Sequence, residues 1–303
     1  MTTLDSITVR SSDGRIEAEF VPGANLLCCS LRHDGVEYLD QGEGVEAYAE
    51  RGKTMGVPLL HPWANRLERF EYRAAGKTVA LPEGDSRIPV DPSGLPIHGV
   101  LPGLLDWQVD SQPDPERMTA LLNWEAAGLF ELFPYSHELQ VDASVGEGAL
   151  TIATTLRATG EDAVPVSFGY HPYLTLPGQP RESWTISVAA FRRLLLDQRM
   201  IPTGEREPVA RRSFVLGDQN LDDGFDALPV PAEFEAASGE RAVRLDFLVG
   251  YPFAQVYAPL GHEYVCFEPM TAPTNALNSG DGLHVVDSGD EYGAEFRIVV
   301  SAA

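Results

Sequence analysis

Apolar and polar residues alternate in steps of two along much of this chain. Ile16-Glu17-Ala18-Glu19-Phe20, Glu138-Leu139-Gln140-Val141-Asp142-Ala143 and Ala242-Val243-Arg244-Leu245-Asp246-Phe247 each place apolar side chains on one face and polar ones on the other. That period predicts half-buried β-strands. Hairpin turns are predicted between such runs. Ala75-Gly76-Lys77 separates Tyr72-Arg73 from Thr78-Val79-Ala80-Leu81, and Val145-Gly146-Glu147-Gly148-Ala149 joins two further strands. Leu26-Leu27-Cys28-Cys29 reads as another strand, with buried thiols. No stretch of ten or more residues carries the 3.6-residue period of an amphipathic helix. The 23 prolines and 28 glycines are scattered, punctuating short strands rather than marking a linker. The pattern predicts a large antiparallel all-β protein, sandwich or barrel-like. With no internal repeat and no boundary, residues 1–303 read as a single domain; all-β units often exceed about 200 residues.

Composition narrows the classes of function. Hydrophobic residues make up 44% of the 303 and charged residues 22%, enough to build a core. The net charge is −23, with the acids spread along the chain, a field that repels nucleic-acid backbones. No apolar run approaches the roughly 20 residues that cross a bilayer. Met1-Thr2-Thr3-Leu4-Asp5-Ser6 has neither the basic nor the apolar part of a secretory leader, so the reading is a cytoplasmic protein with no membrane partner. Three cysteines, two adjacent, form no disulfide framework, and no Cys or His spacing suggests a metal cage.

The candidate chemistry lies with histidines and one glutamate. His61, His98 and His171 are flanked by Pro, Gly and aromatic residues, and His262 lies in a Gly261-His262-Glu263 turn. A histidine before proline is biased towards extended backbone, which steadies its ring. Taken singly, each reads first as a core or turn histidine. Glu268 ends the apolar run Tyr264-Val265-Cys266-Phe267 and precedes Pro269. It is either a strand-end residue facing water or a buried carboxylate kept for use, because burying an unused one is costly. The loop Met270-Thr271-Ala272-Pro273-Thr274-Asn275 is placed to fold over it.

In order and spacing, Ala64-Asn65-Arg66, Ile97-His98-Gly99, Gly169-Tyr170-His171-Pro172-Tyr173 and Phe267-Glu268-Pro269 resemble the aldose 1-epimerase (galactose mutarotase) family. The resemblance spans about residues 16 to 300. It implies a large antiparallel β-sandwich of the galactose mutarotase-like supersandwich type, and a reaction that opens and recloses a cyclic hemiacetal without metal or organic cofactor. His171 would protonate the ring oxygen of a free aldohexose, and Glu268 would take the proton of the anomeric hydroxyl. An imidazole's ordinary pKa of about 6.5 suits such an acid; shielding from water would lower it and a nearby carboxylate would raise it. Arg66, with Asn65 beside it, and His98 would hold sugar hydroxyls. The family's sugar-binding Asp falls in Asn220-Leu221-Asp222-Asp223-Gly224-Phe225, best at Asp222, with Asp223 the alternative. Trp63, Tyr170 and Tyr173 would either stack on the sugar or belong to the core. The His61-Pro62-Trp63 approach to Asn65 and the loop after Glu268 differ from those of the better-known galactose mutarotases, which leaves the identity of the sugar open.

Three other readings compete. A hexose-6-phosphate 1-epimerase needs cations for the phosphate, for which Arg192-Arg193 and Arg211-Arg212 are candidates. A glycoside hydrolase uses two carboxylates about 5–10 Å apart and has no role for the histidine segments. A non-catalytic carbohydrate-binding sandwich needs neither acid nor base. The expected partner is a small-molecule sugar, and the sequence is compatible with a monomer or a homodimer.

Overall fold

The computed structural model describes residues 4–110, 114–189 and 191–302. Two large sheets dominate it. A nine-stranded sheet runs in the order Arg212–Val215, Thr185–Val188, Ala232–Ser238, Arg241–Val249, Glu291–Ala302, Ala149–Ala158, His137–Gly146, Arg117–Asn123, Gln108–Val109. A seven-stranded sheet runs Pro202–Val209, Phe191–Leu196, Leu221–Asp226, Phe253–Ala258, Cys266–Met270, Gly169–Tyr170, Leu59–Leu60. A four-stranded sheet formed by Ile7–Arg10, Ile16–Val21, Leu27–His33 and Val36–Glu37, and two small two-stranded ones, complete an all-β architecture. The strand partners within these sheets are antiparallel. Among the described residues no helix is long and apolar enough to cross a membrane.

The alternation read from the sequence is what builds these sheets. His137–Gly146 buries every second residue, and pairs residue for residue with Ala149–Ala158 across a turn in which Glu147 and Gly148 both have positive φ. That left-handed pair matches the right-handed twist of the flanking strands. Glu71–Ala74 and Lys77–Ala80 pair across Ala75-Gly76, as the turn residues predict, with the second strand starting one residue early. Cys28 and Cys29 lie buried in Leu27–His33, and all three cysteines are free.

The large sheets pack face to face through aromatic pairs. Phe234 lies 5.6 Å from Phe267 and 5.8 Å from Phe191, and Tyr170 lies 4.9 Å from Phe296. Burying rings of this size is the dominant favourable contribution such an interface makes. It also fixes what the other face of the seven-stranded sheet carries. If Phe267, Val256, Phe225 and Tyr170 turn inward, then Glu268, Gln255, Tyr257, Asp222 and His171 turn the other way.

Candidate active site

That outward face carries the candidate site. Antiparallel register places Gln255 opposite Glu268, Tyr257 opposite Cys266, and Asp222 opposite Tyr257, so one row of side chains crosses three neighbouring strands. His171 enters from the adjacent strand, just past Gly169–Tyr170, where its backbone N–H donates to the Pro58 carbonyl at 3.1 Å. His171 Nε2 stands 3.2 Å from Glu268 Oε1. Both side chains are almost fully buried, at 7% and 2% exposure.

Ring packing holds His171. Tyr173 stacks on it at 4.5 Å and an interplanar angle of 9°, while Tyr257 and His98 meet it edge-on at 5.8 and 5.6 Å. The Tyr173 hydroxyl is itself tied to Thr54 Oγ1 at 2.5 Å. His171 Nδ1 and Glu268 Oε2 are buried and have no hydrogen-bond partner among the described residues. Unpaired buried polar atoms carry a desolvation cost of about 1–3 kcal/mol each, which a ligand supplying the partner would remove.

Burial sets the electrostatics. It pushes the His171 imidazole down from 6.5 to about 3 and the Glu268 carboxyl well above the usual carboxylate range; the nearby Asp222 raises Glu268 further, and Arg66 opposes that. Of the two tendencies named for His171 from the sequence, shielding therefore wins. Both shifts have one meaning. Adding a second proton to the pair, or removing its only one, creates a net charge in a dry site, so both shifts favour a pair that holds a single proton.

The segments that hold a prospective ligand are bonded to one another. The Arg66 and Ile97 backbones form a bridge, and His98 N–H donates to the Asn65 carbonyl at 3.0 Å. Asn275 N–H donates to the Arg66 carbonyl at 2.9 Å, and both the N–H and the hydroxyl of Thr271 donate to the Phe168 carbonyl. The loop after Glu268 thus runs back to the Arg66 segment. Arg66 donates Nε to Asp91 Oδ2 at 2.7 Å and Nη1 to Asn65 Oδ1 at 3.0 Å. Asn65 therefore supports Arg66 with its carbonyl oxygen, which also accepts the Arg66 backbone N–H at 2.9 Å.

The pairing of His98 with glycine has a steric cause. His98 has φ 60° and Gly99 φ 78°, and a Cβ at Gly99 would collide with the His61 carbonyl oxygen. Gly99→Ala is expected to lower stability by more than about 2 kcal/mol, combining left-handed strain with the clash. Denaturant unfolding checks this, and an unchanged midpoint would contradict the packing.

The two aspartates face opposite ways. Asp222 faces the site, accepting from Gln255 Nε2 at 2.5 Å, and burial raises its carboxyl. Asp223, one residue on, turns to the opposite face and meets Arg193 at 3.4 Å. His61 lies apart from the site: its Nε2 is 2.9 Å from His137 Nε2 in a core cluster with Trp124 and Phe133. Trp63 and Tyr170 are core aromatics, so of the three proposed stacking rings only Tyr173 reaches the site, where it stacks on His171. His262 is exposed beside Tyr264. Of the four phosphate candidates, Arg192 and Arg193 are engaged in ion pairs. Arg192 forms a two-point pair with Asp226, Arg193 pairs with Glu207 and Asp223, and Arg212 begins an edge strand of the other large sheet.

Sequence reasoning missed Gln255, Tyr257 and Asp91. A lone glutamine inside Phe253-Ala254-Gln255-Val256-Tyr257-Ala258, buried to 3% exposure, was the available signal. Among the described residues no three His, Cys, Asp or Glu side chains converge as a metal ion requires.

Comparison with known proteins agrees with this fold. The family model described as aldose 1-epimerase matches residues 7–299. The uncharacterized protein YihR of Escherichia coli (strain K12) is 25% identical over 257 residues, 80% of either chain. Among solved structures, the Slr1438 protein of Synechocystis sp. PCC 6803 is 23% identical with a TM-score of 0.78, over 100% of this chain and 99% of its own. A galactose mutarotase-like protein from Clostridium acetobutylicum is 16% identical with a TM-score of 0.82, over 96% and 94%. A galactose 1-epimerase from Lactobacillus acidophilus NCFM is 14% identical with a TM-score of 0.75, over 99% and 100%. At these identities the structural likeness is one of fold, and that fold is galactose mutarotase-like.

Proposed function

The chain belongs to the aldose 1-epimerase family, a family of carbohydrate isomerases, and from that premise we propose that it interconverts the α and β anomers of a free aldohexose without a cofactor. The observation that carries the reading is the buried His171–Glu268 pair, with its atoms 3.2 Å apart and one carboxylate oxygen left without a partner. The two oxygens on a hemiacetal carbon are separated by only two bonds, so groups this close reach both at once.

With one proton between them, the pair offers one donor and one acceptor. Glu268 takes the anomeric hydroxyl proton, the bond from C1 to the ring oxygen breaks, and the ring oxygen receives the proton of His171 Nε2. The aldehyde rotates about C1–C2. Closure on the other face runs the transfers in reverse: Glu268 returns a proton to the new hydroxyl and His171 recovers its own. Arg66 spends Nε and Nη1 on protein partners, which leaves Nη2 for a sugar hydroxyl. Asn65 completes that group, His98 lies beside the ring oxygen through its contact with His171, and Asp222 accepts from hydroxyls on the far side. The partner on this reading is a neutral sugar, and the paired state of Arg192 and Arg193 disfavours a phosphorylated one.

Polarimetry of freshly dissolved α-glucose, α-galactose and glucose 6-phosphate tests this. The expected result is faster equilibration of a free hexose, unchanged by EDTA, with little effect on the phosphate ester. Activity abolished by chelation would overturn the cofactor-free mechanism, and preference for glucose 6-phosphate would overturn the neutral substrate.

A further inference from the structure

Asp91 is a buried carboxylate that divides its two oxygens between two tasks. Oδ1 accepts the backbone N–H groups of Ser93 at 2.8 Å and Leu95 at 2.9 Å, closing the turn Asp91-Pro92-Ser93-Gly94. The backbone repeats that closure, with Asp91 N–H donating to the Leu95 carbonyl and Gly94 N–H to the Asp91 carbonyl, both at 2.9 Å. Oδ2 plays no part in the turn and accepts Arg66 Nε at 2.7 Å. The turn requires only a neutral acceptor, which asparagine supplies equally well. The charge at position 91 is therefore spent on Arg66. Its side chain is 4% exposed, so this ion pair is hardly screened by water.

Arg66 needs such an anchor. Its backbone is fixed by the bridge to Ile97 and by Asn275, but its side chain is long, and rotamer freedom must be removed before a guanidinium points one nitrogen at a ligand. Apart from Asn65, Asp91 is the group that does so. Two further carboxylates, Asp222 and Glu268, lie on the same sheet face and interact electrostatically with Arg66. A guanidinium without an anionic anchor behind it has competing partners in front of it.

We propose that Asp91 is a positioning residue of the sugar pocket, holding the Arg66 fork from behind so that Nη2 faces the bound sugar. The inference deepens the sugar-epimerase reading given above and rests on it. Asp91→Asn keeps the shape and the turn but removes the charge. It should raise KM, and the calorimetric Kd for D-glucose and D-galactose, roughly 10-fold, because a charge-assisted bond is lost, while kcat stays within about 3-fold. Arg66→Ala should raise the same two constants by a similar factor or more. On the Arg66→Ala background, Asp91→Asn should change neither constant further, since its action passes through Arg66. A merely structural residue would give the opposite pattern, a similar loss on either background together with a lower unfolding midpoint. Unchanged constants in Asp91→Asn, or an equal additional loss on Arg66→Ala, would overturn the proposal. Calorimetry separates this from the broader reading: a wild type that binds sugar without turnover would refute the epimerase, while the Kd cycle would still decide the role of Asp91.

Discussion

Glu268→Gln is expected to lower kcat by about 10²- to 10⁴-fold while leaving KM within a few-fold of wild type. Glutamine matches the shape of the side chain and keeps a carbonyl oxygen facing His171, so the strand and its packing survive. What it loses is the ability to take a proton. Gln255, opposite in register, Tyr257 and the returning loop all stay in place, so the sugar should bind as before. The fully buried position argues that stability will not fall, because a carboxylate in an apolar setting is costly and an amide less so. Steady-state polarimetry with denaturant unfolding on the same preparation checks both halves. A variant with near-normal kcat would remove Glu268 from the chemistry, and a collapse in stability with proportional loss of activity would make it a structural residue.

His171→Asn is expected to cost a comparable factor in kcat, about 10²- to 10⁴-fold, and the wild-type pH profile should show why histidine is used there. For an exposed imidazole kcat/KM would fall as pH rises through about 6.5, where the acid loses its proton. Burial moves the point at which the pair accepts a second proton down to about 3, and the raised carboxyl of Glu268 moves the loss of its only proton upward. The sign of both shifts is the same in effect: the one-proton form persists to lower pH and to higher pH than either residue would allow alone. The expected profile is level through neutrality and well into the acid range, until the fold itself fails. A limb that falls as pH rises through about 6.5 and disappears in His171→Asn would mean that this histidine titrates as a solvated group. His98→Asn should instead weaken binding and leave the profile's shape unchanged. If His98→Asn changed the shape and His171→Asn did not, the acid would be His98.

The contrast between His61 and His171 shows what a single sequence conveys. Both precede proline and both sit among aromatic residues, and local sequence gives them nearly equal standing. Their fates differ because His171 follows a strand whose inward residue, Tyr170, packs on Phe296, which turns the next residue outward. His61 instead meets His137, a residue 76 positions away. Strand alternation and hairpin turns were legible because they depend on neighbours in the chain, as at Val145-Gly146-Glu147-Gly148. Gln255 and Tyr257 were not, since what marks them is register against Glu268 and Asp222 on other strands. Asp91 was hidden for a related reason. One of its oxygens builds a local turn, while the other acts 25 residues away. Asp222 and Asp223 are chemically identical, and only the parity of the strand separates them. The four motif segments were found through an ordered resemblance to a family, and the hydrogen bonds among them are the physical basis of that order.

The most direct test of the account is the first-order rate constant for equilibration of α-galactose and α-glucose, compared between the wild-type protein and the His171→Asn/Glu268→Gln double variant at equal concentration. The account predicts that the wild type accelerates equilibration of at least one of these sugars. It also predicts that the double variant falls to the buffer rate, losing little more than either single variant, because the pair acts as a unit. A wild type indistinguishable from buffer with both sugars, or a double variant as fast as wild type, would contradict it.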